Sequence, residues 1–348
     1  MNSALPAPAR AARATVKSLS QAAGVSASTV SRALRGDTRI STRTRKRILK
    51  LAQSVHYVPN QMARGLSTRR SGMVALLLGE VTNPFYPEFL QCLTAKTAQR
   101  GLQLLLLPLG SIRLEAEMIR TMVEYGVDGC LVAAAALTDE AFDAIAAFKV
   151  PAVMINRSGG GRTSAVLCNN QAGGATIGRF LVERGHRRIA YAAGRQTISE
   201  REQGLRAALS EAGLQLAVRE VGTYTHESGV DMAQRILARN RKLHAIVGAN
   251  DIIALGVIDG ARKLGIAVPE QLSVIGFDDI GPSNWLSYSL TTVRQPTPAM
   301  IDRALDLLQA RIADPALAPE EVLMPGELSV RTSVLDLGRS VRQGGGQR

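Results

Sequence analysis

The chain has 348 residues, more than one typical core organises, so two or three domains are expected. Hydrophobic residues make up 46% and charged residues 20%, a globular composition rather than a disordered one. No stretch reaches the ~18 uncharged apolar residues of a membrane span. The first residues also lack an apolar block of signal-peptide length, so a cytoplasmic location is expected. Cys92, Cys130 and Cys168 are an odd number at wide spacing, which argues against both a disulfide framework and a zinc site.

The net charge of +13 is unevenly placed. Residues 1–70 carry 14 Lys and Arg against one acid, Asp37, whereas residues 71–348 carry 28 of each sign. Such asymmetry predicts an N-terminal module that meets a polyanion, joined to a neutral body.

Residues 1–14 show no periodicity and are predicted to be a disordered arm. Thr15 can cap a helix with Val16, Leu19, Ala22 and Ala23 on its apolar face. Gly24-Val25-Ser26 makes a turn, and Ser26 caps a second helix with Val30, Ala33 and Leu34 inward. Ala27, Ser28, Ser31, Arg32 and Arg35 point outward from it, and Gly36-Asp37 stops it. Ser41 opens a third helix with Ile48, Leu51, Ala52 and Val55 at helical spacing and Arg and Lys crowding its first turns. Two short helices joined by a Gly-containing turn, closed by a third, are a helix-turn-helix unit. The second helix would enter a major groove, where Arg32 can reach a guanine edge in bidentate fashion. A membrane partner fits poorly, because the outward faces lack Trp, Phe or Leu to embed.

From Ser71 onward strands alternate with helices. MVALLLGE and LQLLLLPL are apolar strand candidates separated by a helix through residues 87–100, and Leu104 to Leu107 is short enough to be a buried strand. CLVAAA, AVMIN, RIAYAAG, AIVGAND and LSVIGFDD continue the alternation. Apolar strands joined by helical crossovers imply parallel sheets covered on both faces. About ten strands over ~265 residues divide more naturally into two doubly wound subdomains than into one. The ligand position in such folds lies outside the carboxyl ends of the strands, here between the halves.

The segment ATVKSLSQAAGVSASTVSRALRGDTRISTRTRKRILKLAQSVHYVPNQMARGLSTRRSG closely resembles the DNA-binding headpiece of the lactose-repressor (LacI/GalR) family. EVTNPFYPEFL, YGVDGCLV, VPAVMINR, ERGHRRIAY, ANDIIALG, LSVIGFDDI, LTTVRQP and MPGELSVRTS extend the resemblance to almost the whole chain. The resemblance implies a helix-turn-helix domain over residues 15–59 and a hinge over 60–70 that folds only when a dimer sits on its operator. In such a hinge Leu66 would be the minor-groove wedge, beside a helix-weakening Gly65. It also implies a periplasmic-binding-protein-like body over 71–338. Its first subdomain would comprise about 71–168 and 297–324, and its second about 169–296 and 325–336. The tail 339–348 is expected to be disordered and lacks leucine heptads, so a homodimer is expected rather than a tetramer.

The resemblance places Thr15, Ala27, Ser28, Thr29, Ser31, Arg32, Arg35, Asn60 and Leu66 at the DNA. It places Asn83, Phe85, Asn156, Arg201, Tyr224, Asn250 and Asp278 around a small-molecule effector of the sugar or sugar-acid class. Arg201 would clamp ligand oxygens with its fork, and Asp278 would accept ligand hydroxyls. Each has a plainer alternative: a turn at Asn83-Pro84, a helix cap at Asp278 or Asp279, a surface ion pair at Arg201. Asn169 stands where many relatives have Asp.

No GxGxxG, Gly-Lys phosphate loop, HExxH or GxSxG occurs, and Gly159-Gly160-Gly161 reads as a surface loop. No cofactor or metal is expected. The reading is a DNA-binding transcriptional regulator, most simply a repressor, rather than an enzyme. A periplasmic-type solute receptor is the alternative the body alone would fit, and a nucleotide-binding enzyme is the third.

Overall fold

The computed structural model describes residues 14–34, 36–57, 70–78, 83–108, 113–114, 116–133 and 136–338. The arm before residue 14, Arg35, Asn60, Gly65 and Leu66 of the hinge, and the tail after residue 338 lie outside them. The chain divides into two compact units, Met1–Ser71 and Gly72–Arg348.

Among its described residues the first unit holds three helices, α1 (Val16–Ala23), α2 (Ala27–Leu34) and α3 (Thr42–Ser54). Thr15 and Ser18 form a reciprocal capping box at the start of α1, and Gly24 ends it in the left-handed region at φ 62°. Ser26 Oγ accepts from Thr29 N at 3.1 Å and Ser41 Oγ from Thr44 N at 3.3 Å, so hydroxyl caps start the other two helices. Leu19, Ala23, Val30, Ala33, Ile48 and Ala52 form the core. Burying Leu19, Val30 and Ile48 contributes ~1.5–3 kcal/mol each. Two expected core residues lie outside it. Ala22 is exposed because its position turns away from the Leu19–Ala23 face, and Val55 is exposed because α3 ends before it and leaves it as the C-cap.

In the second unit, β1 (Met73–Leu78), β2 (Gln103–Pro108), β4 (Gly129–Ala133), β6 (Ala152–Ile155), β7 (Ser164–Cys168) and β13 (Glu321–Met324) form one sheet. Its order is β13-β7-β6-β4-β1-β2 and every pair is parallel. Helices α4 (Phe85–Gln99), α5 (Ala116–Glu124) and α6 (Asp139–Phe148) connect its strands, with β3 (Arg113–Leu114) and β5 (Ala136–Leu137) as a two-residue parallel pair. The second sheet runs β11 (Ser273–Ile275), β10 (Ala245–Gly248), β8 (Ile189–Ala193), β9 (Val218–Val221), also parallel. Its helices are α7 (Asn170–Glu183), α8 (Glu200–Glu211), α9 (His226–Arg239) and α10 (Asp251–Lys263).

The chain passes between the layers three times. It leaves the first sheet after Cys168 and enters α7. It returns through β12 (Thr292–Arg294) to α11 (Thr297–Ala313), which packs on β4, β6 and β7. After β13 it crosses again to β14 (Glu327–Ser329), antiparallel to β12, and Val274 N donates to Ser333 O at 2.9 Å. Asp279 clasps this region by accepting from Arg331 and Arg294, each at 2.6 Å.

The run Leu104–Leu107 is not a buried strand. β2 is the sheet edge and Leu106 is 46% exposed. The helix expected from residue 87 starts at Phe85, because Asn83 Oδ1 accepts the Phe85 N–H at 3.0 Å. LSVIGFDD forms only three residues of strand, and AIVGAND ends its strand at Gly248, before Asn250 caps α10.

Candidate functional site

The strand order of each sheet reverses beside its first strand, β1 in one and β8 in the other. Loops leaving the carboxyl ends there diverge and open a crevice. Loops from both sheets line one cleft of about 600 Å³, and all seven residues expected at the effector border it. Asn83 and Phe85 follow β1, Asn156 follows β6, Asn250 follows β10 and Asp278 follows β11.

Arg201 occupies the first turn of α8, and its position depends on glycine. A Cβ on Gly174 of α7 would lie 2.0 Å from Arg201 O, and one on Gly204 of α8 would lie 1.9 Å from Gln171 O. The helices therefore approach to backbone contact, which sets Arg201 against the start of α7. Its Nε donates to Asn170 Oδ1 at 2.8 Å and its Nη1 to Ala249 O at 3.0 Å. Its Nη2 lies 3.0 Å from Asp278 Oδ1, and the guanidinium carbon sits 3.8 Å above the Phe277 ring centroid. This is a buried ion pair rather than a surface one, since the side chains are 21% and 7% exposed.

Asp278 Oδ1 also accepts from Gln295 Nε2 at 2.7 Å. That bond fixes which way the Gln295 amide faces, because its nitrogen must meet the carboxylate. Gln295 Oε1 then has no hydrogen-bond partner among the described residues, although the residue is 5% exposed. A buried acceptor left this way invites a donor from a ligand or water. Burial raises the Asp278 carboxyl above its ordinary range against the opposing effects of Arg201 and Gln295. Burial acts to lower Arg201, but the Asp278 carboxylate together with Tyr191, Tyr224 and Cys168 outweighs it and raises Arg201.

Asn250 lines the cleft and spends its Oδ1 capping α10, accepting from Ile253 N at 3.2 Å, so the cap does not use its amide N–H groups. Tyr224 is 42% exposed and packs over Gly194, where any Cβ would meet its ring at 2.5 Å. Phe85 stacks on Phe89 at 6.1 Å and meets Tyr86 edge-on at 5.4 Å. Burial, aided by Asp278, pushes the Tyr86 hydroxyl up to about 12.

Sequence reasoning missed Gln295, Tyr86, Asn170, Arg157 and Arg195 in the cleft. Gln295 had one signal, a polar residue between a strand and the Pro296 that opens α11. Gly160 also borders the cleft, so the glycine loop is part of its wall and not surface alone.

In the first unit, Ala27, Ser28 and Arg32 of α2 are exposed, while Thr29 and Ser31 are half-buried. Thr15 is exposed with its hydroxyl held in the capping box, and Thr29 Oγ1 lies 2.9 Å from Ser26 Oγ. Arg47 is spent on the fold, donating to Ala23 O at 2.8 Å, whereas Arg43, Lys46 and Lys50 are exposed. Arg35, Asn60 and Leu66 lie outside the described residues.

Among the described residues no cluster of His, Cys, Asp or Glu could hold a metal. Burial pushes the Cys130 thiol up to about 12 and Cys168 up to about 11, which leaves both as unreactive thiols. No described helix is long and apolar enough to cross a membrane.

Residues 15–60 match the model for bacterial regulatory proteins of the lacI family, and residues 179–334 match a periplasmic binding protein-like domain. The HTH-type transcriptional repressor PurR of Vibrio cholerae is 31% identical over 339 residues, covering 94% of this chain and all of that protein. This chain belongs to the lacI family. The family is one of bacterial regulatory proteins and its PurR relatives are transcriptional repressors, which sets aside both the enzyme reading and the free-standing solute receptor. Among solved structures, a complex of the transcriptional regulator CelR with cellobiose is 31% identical, with a TM-score of 0.69 over 92% of this chain and all of that one. The lac repressor dimer bound to operator and the anti-inducer ONPF is 23% identical, with a TM-score of 0.83 over 93% of this chain and all of that one, a likeness of fold. The lacI-family protein is thus a helix-turn-helix repressor with an effector-binding body of two parallel α/β subdomains.

Proposed function

We propose that the protein is a cytoplasmic repressor that binds a pseudo-palindromic operator as a homodimer. A sugar or sugar acid held between the two subdomains of its body would change that affinity. The observation that carries the effector class is the Arg201–Asp278–Gln295 constellation. It offers N–H donors, a carboxylate and an unmet amide oxygen within one chain of bonds. Hydroxyl groups both donate and accept, so a polyol satisfies such a mixed set, while Phe85 and Tyr224 supply apolar faces.

On the DNA side, Thr15, Ala27, Ser28, Thr29, Ser31, Arg32 and Arg35 would meet the major groove and its phosphates. Asn60 and Leu66 would act in the minor groove. The excess of basic residues before residue 71 supports this, since phosphate contacts dominate affinity. The ligand would act by touching both walls of the cleft, which gives it different affinities for different orientations of the subdomains.

The test is operator affinity by fluorescence anisotropy, using duplexes from the intergenic region beside the gene, with and without neutral and acidic sugars. At least one sugar should shift affinity ~5–150-fold, the range of ordinary allosteric coupling. Arg201→Ala and Asp278→Ala should remove that shift. Retention of the full response by both variants would move the pocket elsewhere.

A further inference from the structure

We infer that the effector carries a carboxylate or phosphate group, held between Arg157 and Arg195, one on each wall of the cleft. This deepens the effector reading above and rests on it.

Among the described residues five charged side chains line the cleft: Arg157, Arg195, Arg201, Glu200 and Asp278. Arg201 and Asp278 neutralise one another at 3.0 Å. Glu200 accepts from Asn170 Nδ2 at 3.3 Å, a neutral donor that leaves its charge in place. Neither the Arg157 nor the Arg195 guanidinium makes an ion pair or hydrogen bond among the described residues. Among the described residues the cleft thus holds three arginines against two carboxylates.

The two arginines stand on opposite halves. Arg157 follows β6 of the first sheet, and Arg195 follows β8 of the second. Arg157 is half-buried and close enough to Tyr86 for its charge to favour the ionised phenol. Arg157 is half-buried and Arg195 exposed, and an anion bound by both guanidiniums would be attracted to each wall of the cleft. The same group that binds would therefore also draw the walls together. The hydroxyl-bearing remainder of the ligand would reach Asp278 and the unmet Gln295 Oε1. The ligand class is a sugar acid or a sugar phosphate, recognised by charge-assisted hydrogen bonds to arginine forks.

The experiment titrates the full chain calorimetrically with matched series: glucose, glucuronate and glucose 6-phosphate, then galactose, galacturonate and galactose 1-phosphate. An acidic member should bind at least about tenfold tighter than its neutral partner, and the advantage should shrink at high salt. The carboxylate and phosphate arms tell the two sources apart. Arg157→Gln with Arg195→Gln should erase the acidic advantage, so that within this variant the acid binds no tighter than its neutral partner. Neutral sugars binding as tightly as the acids, acids gaining nothing, or the double variant keeping the preference would each overturn the inference. A neutral sugar that binds as tightly as its acidic partners and is lost on Arg201→Ala would sink the anion alone and leave the effector cleft standing. Binding that Arg201→Ala does not touch would sink both.

Discussion

Asp251 and Asp278 are neighbouring buried carboxylates, and only Asp278 has a cationic partner among the described residues. Asp251 is held instead by neutral donors: Thr292 Oγ1 at 2.5 Å, Ser283 Oγ at 2.7 Å and Ile280 N at 3.0 Å. Burial, aided by the Asp278 charge, pushes Asp251 up to about 7 against those donors. The folded state therefore holds this proton more tightly than the unfolded chain, whose aspartates titrate near ~3.9. The stabilisation is complete below that value and is lost as pH rises through about 7. Asp251→Asn should flatten the difference in melting temperature between pH 5 and pH 8, and a wild-type slope in the variant would refute the assignment.

Gly174→Ala tests the helix approach that places Arg201. The new Cβ would meet Arg201 O at 2.0 Å, so α7 and α8 must part. The expected cost is ~1–3 kcal/mol, read by urea unfolding. Effector affinity should fall as well, although residue 174 does not line the cleft. Unchanged effector binding would show that Arg201 tolerates the shift.

Arg32→Ala should cost ~1–3 kcal/mol on the operator and little on scrambled duplex, if the guanidinium reads a guanine. Competition titrations at one salt concentration measure the ratio. Equal losses on both duplexes would reassign Arg32 to phosphate contact.

Leu66→Ala should reduce operator bending, measured by energy transfer between dyes at the duplex ends, while calorimetric binding of effector to the body stays the same. Unaltered bending would exclude Leu66 as the wedge.

The first unit was legible because its signals are local. Thr15, Ser26 and Ser41 announce their helices by capping chemistry, and Gly24 marks a turn that needs positive φ. Apolar alternation also gave the central strands of both sheets. Edge elements were less visible: β13 and β9 bury only part of their side chains, so neither reads as a continuous apolar run. Leu104–Leu107 misled in the opposite sense, since an apolar run says nothing about which strand lies outermost. In the cleft, residues at strand ends were found through family resemblance. Asp251 and Gln295 were not, because their roles arise from burial beside Asp278, which joins segments more than fifteen residues apart in the chain.

The first sheet borrows its outermost strand, β13, from residues 321–324, with α11 packed on β4, β6 and β7 just before it. The second sheet draws all four of its strands from residues 189–275. A ribosome delivers the chain from the N-terminus, at ~5–20 residues per second. The strands made first must therefore wait for nearly the last ones, ~10 seconds or more at that rate, while the later sheet already has its full set. Until then Val166 and its neighbours in β7 present an unpaired edge, the kind of surface on which nascent chains associate wrongly. Loss of the chain beyond residue 320 would make that vulnerable interval permanent.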